Sequence, residues 1–208
     1  MKKISWNILI FTCLLCLMPM CLGLFFYTEL PEQMPIHFNV NNEVDNWASK
    51  NFVVFGLPII MAMLQAFCCI VSDVSETKKG NNPKFVKVMK WLVPILTILL
   101  YILTILVGLG KEMDVGKYVT IVLGIMFIVM GNYMPKMSYE NSKQYIKIVP
   151  KSEKNFMQMI RVLGYTYIIG GIFMITALFV SNLAACIIIL GLCVLVFVES
   201  LYFSLKNS

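Results

Sequence analysis

An all-α, polytopic membrane protein with six transmembrane helices is predicted by three features of this sequence. Of its 208 residues, 59% are hydrophobic and 13% charged, which is too apolar for an ordinary soluble domain. Six stretches approach the roughly 20 apolar residues needed to cross a hydrocarbon core of about 30 Å. They are Ile4 to Tyr27, Phe52 to Val71, Trp91 to Gly110, Tyr118 to Met134, Val162 to Val180 and Ala184 to Leu205. Third, 14 of the 17 lysines and arginines fall on one side of these spans, leaving only Lys50, Lys111 and Lys117 on the other. By the positive-inside rule both termini face the cytoplasm. Backbone polar groups must be satisfied within the bilayer, so the spans read as helices.

The first span follows Lys2 and Lys3 and is longer than a signal-peptide core, with no small-x-small cleavage site after it. It is therefore expected to stay as helix one, with a kink at Pro19. The outward connection to helix two, Thr28 to Asn51, holds the single histidine and four of the eleven acidic residues, Glu29, Glu32, Glu43 and Asp45. Ile36 and Phe38 alternate with His37 and Asn39, which suggests a short strand or hairpin arm. Asn41-Asn42 is the turn candidate, because asparagine tolerates left-handed backbone angles. Trp47 suits a membrane interface. This ordered loop and its flanking helices form one expected part, residues 1–72, and the remaining helices with their basic connections form the other, residues 73–208.

Within helix two, Gln65 is a polar group at mid-depth that should face other helices. The inner connection begins with a Gly80-Asn-Asn-Pro83 turn and continues into Lys84, Lys87 and Lys90, which share a helical face suited to lipid headgroups. Gly131-Asn132-Tyr133-Met134-Pro135-Lys136 closes helix four. Ser152 is an N-cap candidate for a helix whose apolar face includes Phe156, Met157 and Ile160. A tight Ser181-Asn182-Leu183 turn makes helices five and six an antiparallel hairpin.

All seven cysteines lie inside predicted helices, which excludes an extracytoplasmic disulfide framework. Cys13-x-x-Cys16 sits among leucines at mid-span and reads as packing. The outward loop offers one histidine and no cysteine, a poor metal donor set. No nucleophile and base pair, phosphate-binding glycine loop or metalloprotease helix motif occurs, so neither catalysis nor a cofactor is expected. Glu199 is the acidic residue within a predicted span, and Asn132 and Arg161 are its candidate intramembrane contacts. The basic inner connections attract anionic lipid, making the bilayer the first partner. Nothing points to direct nucleic-acid binding.

Leu30-Pro31, Pro35-Ile36-His37-Phe38-Asn39, Asn42-Glu43, Asp45 and Ser49-Lys50 resemble the extracytoplasmic motif of the SdpI-like bacterial membrane proteins, and residues 131–136 resemble that family's second signature. Asn42 stands where the family has glycine. Met137 to Pro150 lacks the arginine and tryptophan that follow the second signature in the family. The resemblance implies a multi-pass protein of the bacterial plasma membrane that protects its producer from a secreted toxic peptide, and in some members also sequesters a transcriptional repressor. On that reading His37, Asn39, Asp45 and Lys50 belong to the toxin-facing element. The alternative is a small transporter or transporter subunit using Gln65 and Glu199.

Overall fold

The computed structural model describes residues 4–75, 83–140, 142 and 149–205. Lys2, Lys3, Lys78, Lys79, Lys143, Lys147, Lys206 and the Gly80–Asn82 part of the predicted turn lie outside the described residues. Among the described residues, six helices are long and apolar enough to cross a membrane: Trp6–Phe25, Phe52–Val74, Phe85–Gly108, Val115–Lys136, Glu153–Ala177 and Asn182–Leu205. The chain divides into two compact units, residues 1–73 with 90–119, and residues 74–89 with 120–208.

In the first unit, the opening span is two helices, α1 (Trp6–Leu17) and α2 (Met20–Phe25). Pro19 supplies no amide donor, so the hydrogen-bond ladder is interrupted there and the expected kink appears as a break. A two-stranded antiparallel hairpin follows, β1 (Gln33–Phe38) and β2 (Val44–Ser49), with Gln33 opposite Ser49 and Phe38 opposite Val44. Its register is irregular on either side of His37. Asn39 builds the turn: its Oδ1 accepts from the amides of Asn41 at 2.9 Å and Glu43 at 3.0 Å. Asn42 takes a left-handed φ of +63°, the conformation that favours glycine or asparagine.

The chain re-enters a helix through a wide π-helical turn at Phe52–Gly56, then continues as α3 (Leu57–Ser75), α4 (Pro83–Gly108) and α5 (Val115–Tyr133). Leu30, Met34, Val53, Val54, Tyr101 and Ile105 form the core beneath the hairpin. Gly23 permits this packing, because a Cβ there would lie 2.1 Å from the Tyr101 hydroxyl oxygen.

The second unit contains the remainder of α5, a short 3-10 turn at Met134–Lys136, α6 (Glu153–Ala177) and α7 (Asn182–Leu205). Here α5 and α6 meet backbone to backbone: a Cβ on Gly131 would sit 2.5 Å from the Gly164 carbonyl oxygen, and one on Gly171 2.4 Å from that of Gly124. Phe156, Met159, Ile160, Leu163 and Phe203 make its core. Ser152 occupies the N-cap position of α6, but its side chain makes no capping hydrogen bond. Ser181 caps α7 instead, its Oγ accepting from the Ala184 amide at 3.1 Å.

Candidate functional site

The hairpin divides its polar residues between display and construction. His37 and Asp45 are displayed: Nδ1 and Oδ1 are 2.5 Å apart, with side chains 65% and 43% exposed. Trp47 and Val40 lie exposed on the same hairpin. Asn39 is committed to the turn, and its Nδ2 also donates to Glu43 at 2.9 Å. Lys50 is turned inward, only 8% exposed. Its ammonium donates to the Leu30 carbonyl at 3.3 Å, pairs with Glu32 at 2.9 Å and lies over the Tyr27 ring. Lys50 therefore clamps the hairpin base, and of the four residues assigned to the outward element, His37 and Asp45, paired with each other, are the two that are exposed.

Asn42 fixes the other end. Its Nδ2 donates to the Met113 carbonyl at 2.9 Å, and its Oδ1 accepts from the Gly116 amide at 3.3 Å. The turn is thereby tied to the connection between α4 and α5. Under this roof lies a cleft of about 420 Å³, bounded by Ile36 to Phe38 on β1, Asn39 at the turn, Pro58 and Met61 on α3, Leu100 and Thr104 on α4, and Val119 on α5.

A second polar assembly lies at the far ends of α3 and α4. Lys90 and Asp73 form a close ion pair with side chains only 4% and 6% exposed. Asp73 also accepts from the Ser5 amide at 3.1 Å, joining the chain ahead of α1 to the pair. Gln65 is fully buried and donates through Nε2 to the Lys90 carbonyl and Thr12 Oγ1, each at 2.8 Å. The expectation that Gln65 faces other helices is thus met. Lys90, however, does not face headgroups with Lys87: the lysine spacing located a shared helical face, but Asp73, 17 positions earlier, draws this ammonium inside. The acidic residue just beyond the end of span two was the sequence signal that charge counting passed over.

Within the second unit, Glu199 accepts from Thr166 Oγ1 at 2.8 and 3.0 Å. Asn132 and Arg161 are exposed, and none of the three ion pairs among the described residues includes Arg161. The structure therefore gives Glu199 a hydroxyl partner, Thr166, five residues further along α6 than the Arg161 guanidinium.

A family described as a domain of unknown function, DUF1648, matches residues 14–62, from mid α1 through the hairpin into α3. The immunity protein SdpI of Bacillus subtilis (strain 168) is 29% identical over 115 residues, which cover 54% of this chain and 52% of that protein. The aligned region thus spans about half the length of this curated relative. No solved structure matches.

Proposed function

Because the chain is SdpI-like by that domain and that likeness, we propose that it is an immunity and signalling protein of the bacterial plasma membrane that gives tolerance to a secreted toxic peptide without catalysis. The observation that carries the reading is the folded hairpin inside the matched domain, held at its base by Lys50 and at its turn by Asn42. A rigid support of this kind presents His37, Asp45, Val40 and Trp47 with little conformational entropy left to lose on binding. Both termini are assigned to the cytoplasm, with the hairpin outside. Setting aside Lys90, which is buried, leaves the cation asymmetry intact. The remaining inner lysines are the proposed surface for anionic lipid and for a sequestered repressor.

Deleting the gene from its host and co-culturing the deletant with the parent strain tests tolerance. The deletant is expected to be lost from co-culture, and to be rescued by the wild-type chain but not by a His37→Ala/Trp47→Ala double variant that accumulates normally in the membrane. Equal survival of deletant and parent would sink the immunity reading. A transport reading draws on Gln65, whose Oε1 is buried without a hydrogen-bond partner among the described residues. Ion or solute flux in proteoliposomes that disappears in Gln65→Leu would favour it.

A further inference from the structure

The cleft beneath the hairpin has a chemistry distinct from the displayed hairpin face. We propose that it is a lipid-tail site, which takes one acyl chain of a membrane amphiphile from the leaflet on the hairpin side and leaves the head at the rim beside His37 and Asn39.

Its volume of about 420 Å³ falls within the range of small-molecule sites, roughly 300 to 1,000 Å³. Three of its walls belong to helices long and apolar enough to cross a membrane. Thr97, on its lining, lies 11 residues before Gly108 at the end of α4, which at helical rise is roughly 16 Å. The cleft therefore reaches from the hairpin down to the depth at which lipid tails lie.

The hydroxyl groups on its lining decide the kind of occupant. Thr97 donates to the Val93 carbonyl at 2.8 Å, Thr104 to that of Leu100 at 3.0 Å and Tyr101 to that of Val54 at 3.2 Å. Each hydroxyl has one hydrogen to donate, and each is engaged within the protein. A peptide backbone entering the cleft would bring carbonyls to a wall whose hydroxyl hydrogens are already engaged, at a cost of several kcal/mol for each carbonyl left unsatisfied in an apolar medium. A hydrocarbon chain brings no such groups. His37 and Asn39 line the hairpin end of the cleft, where the head is left.

The full-length chain, exchanged from detergent into amphipol, is to be titrated with a lysophosphatidylcholine carrying a fluorescent tail, with binding read by anisotropy. Unlabelled lysophosphatidylcholines of increasing tail length then compete. Affinity is expected to rise about fourfold per methylene, up to the length that fills the cleft. Leu100→Trp, which fills the cleft, is expected to weaken binding at least tenfold. Thr104→Val, which keeps the side-chain shape and removes a hydroxyl already engaged, is expected to bind as the wild type does. Competition independent of tail length would overturn the proposal. So would loss of binding in Thr104→Val with an unchanged melting profile, since the occupant would then be hydrogen-bonding there. Displacement of the probe by an apolar peptide but not by long-tailed lysolipid would assign the cleft to a peptide instead. Co-culture survival is a separate readout, so failure of the immunity reading leaves this binding result standing.

Discussion

Two acid and base pairs in the first unit differ in nearly everything except their charges. His37 and Asp45 sit on the hairpin with much of both side chains in solvent. Lys90 and Asp73 sit between helices, almost wholly withdrawn from it, with the Ser5 amide on the carboxylate and Gln65 on the Lys90 carbonyl. Exposed pairs contribute little to stability because water competes for both partners. Buried pairs are dangerous to halve, because the remaining charge loses its counter-ion in a medium that solvates it poorly. The comparison separates a pair suited to recognition from a pair that holds three chain segments together.

Asp73→Ala should therefore produce the largest effect, a destabilisation of about 3 to 5 kcal/mol, read as a lowered unfolding midpoint of the purified protein in bicelles. Replacing both partners, Asp73→Leu with Lys90→Met, should recover much of that loss. A double variant as unstable as the single one would show that the ion pair is not the origin of the effect. Asn42→Ala should cost about 2 kcal/mol, through left-handed strain and two lost contacts. Asn42→Gly, which relieves the strain alone, should fall between it and wild type in the same assay. Gln65→Met should cost about 1 kcal/mol, in line with interhelical hydrogen bonds in membranes. The smallest effect belongs to His37→Ala, expected within about 0.5 kcal/mol of wild type yet reduced in co-culture survival. A large fall in its unfolding midpoint would erase the contrast between the two pairs.

Patterns local in sequence were readable before the structure. Uninterrupted apolar runs marked the six spans, alternation around Ile36 and Phe38 marked a strand, and Asn42 marked the turn. What the chain does over longer separations was not. Lys90 looked like its neighbour Lys87 because periodicity reports which face a residue occupies and says nothing of what faces it. Lys50 looked outward because its loop is outward, whereas the fold bends its ammonium under the hairpin onto Leu30 and Tyr27. Ser152 stands at the right position for a cap without making the bond. The Asn42 contacts with Met113 and Gly116 join positions more than 70 apart, and no local pattern announces them.

The wide turn at Phe52–Gly56 has a consequence for how hairpin and helix are phased. The amide of Leu57 reaches back five residues to the Phe52 carbonyl, so the turn holds one residue more than an α-helix would place there. One residue is roughly 100° of rotation about the helix axis. The surplus lets the hairpin point Lys50 at Leu30 while α3 independently points Pro58 and Met61 at the cleft and Gln65 at its partners. Shortening the turn by one residue would set these two orientations against each other, as a gear tooth removed from a train turns every later wheel. The Tyr101 hydroxyl, donating across from α4 to the Val54 carbonyl, holds the extra tooth in place.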